Sequence, residues 1–173
     1  MTTHSFTLVL DRAPTDDELD ALFEAGADDS TPEWNEGADT GRLHFDRDAP
    51  TLAKALVSAL RNVESAGLRV VAVQSDDLVT LKEIAVRTGR TYESVRLLAT
   101  GARGPGGFPP PLSSGGYALY SWAQVGSWWG DAFGPGPTLA TDYDRMIAAA
   151  DHLVRARALM GGHAEELAEL VAS

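Results

Sequence analysis

The sequence predicts an α+β chain in three parts: a ferredoxin-like N-terminal domain, a winged helix-turn-helix middle domain and a C-terminal helix. Three observations carry that prediction. Residues 1–76 carry apolar patterns in the order strand–helix–strand–strand–helix–strand, the split βαβ arrangement. Between Leu78 and Trp129, two short helix patterns are split by Thr88-Gly89-Arg90 and followed by a Gly/Pro-rich ribbon and an aromatic-rich close. From Asp142 onward the apolar residues fall at helical spacing for about five turns.

In the first part, Phe6, Leu8 and Leu10 alternate with Thr7 and Val9, as in a half-buried strand. Thr15 and Glu18 have capping-box spacing and open a helix whose Leu19, Leu22 and Phe23 share a face, with Gly26 to end it. Pro32 and Trp34 mark a weakly patterned second strand, Gly37 to Gly41 a turn, and Leu43 and Phe45 a third strand. Pro50-Thr51 precedes a second helix with Leu52, Leu56, Ala59, Leu60 and Val63 on one side, stopped by Gly67. The run Leu68-Arg69-Val70-Val71-Ala72-Val73 is the last strand. The carboxylates Asp16, Asp17, Glu18 and Asp20 lie in and beside a first helical turn, where the helix dipole favours them without any metal.

In the middle part, Thr80 and Glu83 form a second capping-box pair and open a helix through Leu81, Ile84 and Ala85. Gly89 supplies the positive φ of a tight turn, and Thr91 caps a second helix. On that helix Val95 and Leu98 face inward, while Tyr92, Glu93 and Arg96 point outward. Gly101 ends it, and Pro105, Pro109, Pro110 and Pro111 exclude a central helix or strand. The reading then gives a β-ribbon wing, with Ser113-Ser114-Gly115-Gly116 as its tip and Tyr117–Tyr120 as its returning strand. Ser121 and Gln124 have a third capping-box spacing and open a short helix with Val125, Trp128 and Trp129. Trp122, Trp128 and Trp129 fit the wing's core better than a base-stacking platform, and Phe108 fits a plug between wing and helix.

Residues 131–141 read as a Gly/Pro linker and 142–173 as a helical segment broken at Gly161-Gly162. The stripe Tyr143, Met146, Ile147, Ala150, Leu153, Val154 and Met160 needs a covering surface. That surface is either the same chain or, the favoured reading, a second copy in a homodimer. His152 and His163 read as surface residues.

Bulk composition narrows the classes. The chain has 173 residues, 44% of them hydrophobic and 23% charged, as in ordinary globular proteins. It has no Cys, so a disulfide framework, a thiolate metal site and a cysteine nucleophile are excluded. No signal pattern or long apolar run marks secretion or a membrane span, and the expectation is a cytoplasmic protein. The net charge of −11 is uneven: residues 1–76 carry −9, residues 131–173 carry −4, and residues 77–130 alone are positive at +2.

The run Thr88-Gly89, Val95, Leu98, Gly107-Phe108-Pro109-Pro110-Pro111, Trp122, Val125 and Trp128-Trp129 resembles the phage excisionase and AlpA-type regulators. It is also similar to the DNA-binding part of MerR-type regulators. The resemblance covers about residues 78–130. It implies that the second helix enters the major groove and that the wing lies along the backbone. Position by position it places Thr91, Tyr92 and Ser94 at the groove and Arg96 and Arg103 at phosphates, with Lys82, Arg87 and Arg90 flanking. For Arg87 and Arg90 the bland alternative is a solvated side chain. Two departures stand out. The tip 113–116 carries no cation, and Glu93 repels phosphate, although a carboxylate also accepts from cytosine N4.

The expectation is therefore a non-catalytic, sequence-specific DNA-binding regulator with duplex DNA as partner and no cofactor. The alternative is a protein-interaction adaptor, antitoxin-like, whose winged helix and acidic surface bind another protein. An enzyme ranks third. No nucleophile–base set or carboxylate pair has suitable spacing, and the Gly run 104–107 lacks the preceding strand and following helix of a phosphate loop.

Overall fold

Among the described residues, six helices of this protein begin where a Thr or Ser side chain accepts from the first turn, at Thr15, Thr51, Thr80, Thr91, Ser121 and Thr141. The structure is a computed structural model that describes residues 1–34, 40–113, 117–134 and 139–172. It divides into two compact units, Met1–Gln74 with Ala149–Ser173, and Ser75–Ala148. The class is α+β, with one four-stranded antiparallel sheet and helices in both units.

The first unit runs β1 (Thr2–Leu10), α1 (Asp16–Glu24), β2 (Ser30–Trp34), β3 (Gly41–Ala49), α2 (Leu52–Ser65) and β4 (Val70–Val73). Its strands lie in the order β2-β3-β1-β4, every neighbour antiparallel. The register sets Phe6 opposite Phe45, with their rings stacked 5.4 Å apart, and Leu8 opposite Leu43. Those four side chains are buried, as are Leu10, Val70 and Val73. Leu52, Ala55, Leu56, Ala59 and Val63 are the buried positions of α2, which packs on β1, β3, β4 and α1. The other face of the sheet is polar, as is common for an antiparallel sheet covered on one side. There Thr3 and Ser5 donate to Asp48 and Asp46 at 2.6 Å, and His44 bridges Thr7 (2.9 Å) and Glu33 (2.5 Å). β2 is an edge strand, which is where Pro32 costs no ladder hydrogen bond. The turn read at 37–41 falls mostly outside the described residues.

Arg47 has the same parity along β3 as Leu43 and Phe45, so its side chain points inward and is only 7% exposed. Its Nε and Nη2 donate to the two oxygens of Asp29 at 2.7 and 2.6 Å. Nη2 also donates to the Gly26 carbonyl, and Nη1 to Ser58 Oγ. The guanidinium lies 5.0 Å above the Phe45 ring. One buried cation thus ties the loop after α1 to β3 and α2. At α1, Thr15 and Glu18 close the capping box, and Arg12 holds both Glu18 oxygens, which lowers that carboxyl to about 2.

The helical tail is α6 (Asp142–Met160), a 3₁₀ turn at Gly161–His163, and α7 (Ala164–Ala172). Its later part joins the first unit. Asp151 accepts from the Val73 N–H at 3.0 Å, Arg157 pairs with Glu64 at 2.5 Å, and Val154 is buried. Of the apolar stripe, Ile147 and Val154 are covered by this chain, whereas Tyr143, Met146 and Leu153 stay more than 40% exposed.

The second unit runs β5 (Leu78–Val79), α3 (Leu81–Thr88), α4 (Tyr92–Ala99), β6 (Tyr120–Ser121), α5 (Trp122–Phe133) and the first turns of α6. Two expectations are corrected here. The returning strand at 117–120 is not formed. β6 is only Tyr120–Ser121, and it pairs with β5, not with the proline ribbon. Three consecutive prolines at 109–111 offer no N–H to a ladder. The described part of 101–119 is a loop, closed by Leu112 N–H on the Leu119 carbonyl (2.7 Å) and by Ser113 Oγ donating to the Tyr117 carbonyl (2.9 Å). The tip residues 114–116 lie outside the described residues. The linker at 131–141 is also shorter than expected: Asp131–Phe133 continue α5, and Thr141 and Asp144 cap α6 reciprocally. Residues 135–138 lie outside the description. Among the described residues, no helix is long and apolar enough to cross a membrane.

Candidate nucleic-acid interface

The site is built on two capped helices of eight residues each. Thr80 Oγ1 accepts from the Glu83 N–H while Glu83 returns to the Thr80 N–H at 2.7 Å, so α3 starts sharply. Glu83 is thereby held below the usual carboxyl range, chiefly by the Thr80 N–H. Gly89 ends α3 at φ +65°, a conformation that costs other residues Cβ strain. Thr91 then opens α4 by accepting from the Ser94 N–H at 3.2 Å. The connection is three residues, Gly89-Arg90-Thr91.

One core holds the pair against α5. Val79, Ile84, Val95 and Val125 are fully buried, joined by Leu98, Tyr120, Trp122 and Trp129. Burial raises Tyr120 above the ordinary phenol range. Trp122 and Trp129 are 6% and 7% exposed, so they are core and not a stacking platform. Phe108 meets Trp128 and Tyr120 edge-on at 4.9 and 5.7 Å, and Trp128 Nε1 donates to the Gly106 carbonyl at 2.9 Å. The glycine ribbon is therefore strapped onto α5. Gly104, at φ +89°, sits where a Cβ would lie 2.5 Å from Leu98 Cδ2.

A second buried device supports α5. Asp77, 7% exposed, accepts from the Ala123 N–H through Oδ1 at 2.6 Å, and its carbonyl accepts from the Trp122 N–H at 2.7 Å. Ser121 Oγ accepts from the Gln124 N–H. Three of the first N–H groups of α5 thus have partners. At the middle of the helix, Gly126 allows the Ala140 backbone to approach: an added Cβ would meet Ala140 N at 2.9 Å.

The sequence-predicted site residues take distinct places. Tyr92 is exposed at the start of α4, and Thr91 spends its hydroxyl on capping. Ser94 is half-buried. Arg96 is not free: its Nε and Nη2 donate to the two oxygens of Glu93 at 2.8 and 2.6 Å. That contact lowers the Glu93 carboxyl and raises the Arg96 guanidinium. Lys82 and Arg103 are exposed, with no ion-pair partner among the described residues. Arg90 is exposed and stacks over Trp129 and Phe133 at 5.6 and 5.2 Å; Arg87 stacks over Trp122 at 5.0 Å and reaches the Asp76 carbonyl.

Sequence reasoning missed Asp77, Phe133 and the Glu93–Arg96 pair. Only the last had a local signal, an acid and a base three apart on one helix. Among the described residues, no group of three or more His, Asp or Glu side chains could hold a metal ion. Compared with known proteins, the chain matches no family model, no curated protein and no solved structure.

Proposed function

We propose that the chain is a non-catalytic, sequence-specific DNA-binding regulator acting in the cytoplasm. α3, the Gly89 turn and α4 act as a helix-turn-helix of the excisionase, AlpA and MerR type. α4 enters the major groove, and the described part of 101–119 takes the place of a wing along the backbone. The observation that carries this reading is the three-residue turn between two capped helices, set in the only cationic segment of an acidic chain. The β2-β3-β1-β4 order supports a ferredoxin-like reading of the first unit, which names no activity by itself. Exposed Tyr143, Met146 and Leu153 on α6 support a homodimer, to be read by light scattering.

The test is anisotropy of fluorescent duplex DNA against salt. Residues 77–130 carry five cations, so the slope of log K on log salt should be no steeper than about −4.5 per bound copy. Arg96→Ala with Arg103→Ala should weaken binding; unchanged affinity would sink the docking model. The second reading, an antitoxin-like adaptor, is favoured by Val86, 76% exposed on α3, and by the neutralised Arg96. It wins if a partner protein co-purifies and duplex DNA never shifts.

A further inference from the structure

We propose that Glu93 is a specificity-determining residue that aims Arg96 at a guanine base instead of at phosphate. The inference rests on the DNA-binding reading and deepens it. A guanidinium has five N–H donors. Glu93 takes the Nε–H and one Nη2–H, gripping one edge of the plane side-on. The Nη1 and Nη2 hydrogens of the far edge remain, a two-donor fork that matches O6 and N7 of guanine in the major groove.

Electrostatics decides between base and phosphate. The pair carries no net charge, and the carboxylate lies 2.6 Å from the guanidinium. A phosphate drawn to Arg96 would meet that carboxylate, so most of the Coulomb attraction is cancelled. Guanine O6 and N7 are neutral acceptors, and their hydrogen bonds to the fork survive. Holding the guanidinium also removes rotamer freedom before contact, which favours a fork that fits one base edge. Glu93 lies in the first turn of α4 and Arg96 one turn later, within the stretch with which recognition helices meet bases. The same grip removes the alternative use of Glu93: with both oxygens held by Arg96, cytosine N4 is not its first partner.

The full-length chain is used to select from a randomised duplex library, and affinities are then read on the selected duplex and on versions changed at single positions. The expected motif has an obligate guanine whose change to adenine costs roughly tenfold to a hundredfold. Arg96→Ala and Arg96→Lys should both erase that preference, the lysine despite keeping its charge. Glu93→Ala should bind a scrambled duplex several-fold more tightly than the native chain, yet discriminate guanine from adenine by less than about threefold. Glu93→Gln, with one acceptor oxygen, should fall between. Both side chains are exposed, and unchanged melting of each variant confirms folding. If Glu93→Ala keeps the full guanine preference, the inference is overturned while the DNA-binding reading stands. If the native chain enriches no duplex, both fail, and they do so at the first step.

Discussion

Replacing Asp77 by Ala should markedly lower the temperature at which the second unit unfolds. The side chain is buried and its Oδ1 accepts from the Ala123 N–H at 2.6 Å at the start of α5. A hydrogen bond to a charged acceptor is worth about 1.5–3 kcal/mol net, and the orphaned buried N–H is part of that cost. The helix dipole adds roughly 0.3–1 kcal/mol for an anion at this end. Removing a buried carboxylate returns some desolvation energy, so a loss of about 2–3 kcal/mol is the expected balance. The Trp122 N–H keeps its partner, because it bonds to the Asp77 backbone. For a unit of this size each kcal/mol lowers the midpoint by about 4–8 °C, so the fall is on the order of 10 °C or more. Tryptophan fluorescence reads it selectively, since Trp122, Trp128 and Trp129 lie in the second unit and only Trp34 in the first. Asp77→Asn keeps an acceptor and should lose less than half as much. A midpoint for Asp77→Ala within about 2 °C of the native protein would refute the capping argument.

Arg47→Ala should cost the first unit about 2–4 kcal/mol, below the full price of a broken buried pair because Asp29 is 28% exposed and regains water. Far-ultraviolet circular dichroism during urea unfolding checks it, and Arg47→Lys should fail to rescue, since a point ammonium cannot span Asp29, Gly26 and Ser58 together. Gly126→Ala and Gly130→Ala should move stability in opposite directions. At Gly126 the new methyl meets the Ala140 backbone, and overpacking of about 1–3 kcal/mol outweighs the helix gain; at Gly130 the nearest atom is Leu139 Cδ1 at 3.9 Å, and a gain of about 0.5–1 kcal/mol is expected from thermal melts. The Glu18 carboxyl should titrate near 2 by NMR, against 4.5 for an ordinary glutamate, and return toward that range in Arg12→Gln. Because its folded pKa is depressed, its contribution to stability is complete above the unfolded value and is lost as pH falls through about 2.

Local chemistry made part of this legible. Thr15 with Glu18 and Thr80 with Glu83 announce their helices because the cap and its acceptor lie within four residues. Thr91 and Gly89 fixed the turn for the same reason. The β5–β6 pairing was illegible, since two-residue strands have no period and their partners lie about forty residues apart. Asp77 was hidden likewise: nothing near it says that it caps a helix far along the chain. Phe133 was lost because residues 131–141 read as a Gly/Pro linker, yet α5 runs on to Phe133 under the packing of Trp129 and Val125. Arg47 was readable and overlooked. Leu43, Phe45 and Arg47 share strand parity, and that parity alone places the cation inside.

The shortage of cations weighs less against DNA than a count implies. Arg87 lies over Trp122 and Arg90 over Trp129 and Phe133, so two of the five basic side chains in 77–130 are already placed by rings. Stacking uses the face of a guanidinium and leaves in-plane N–H groups for phosphate. A freely rotating arginine loses up to about 2 kcal/mol of rotamer freedom on contact, and a stacked one has lost part of it on folding. A few held arginines therefore bind more than their number suggests. The same geometry separates the two readings of the unit. An adaptor whose aromatic residues anchor a protein partner needs them at the surface, since interface hot spots are rich in Trp. Here Trp122 and Trp129 are buried beneath a cation each, while the exposed aromatics of the unit include Tyr92, Tyr117 and Phe133. Cations held over buried rings suit a polyanion better than an apolar protein face, which adds to the support the aromatic-rich stretch lends the proposed DNA reading.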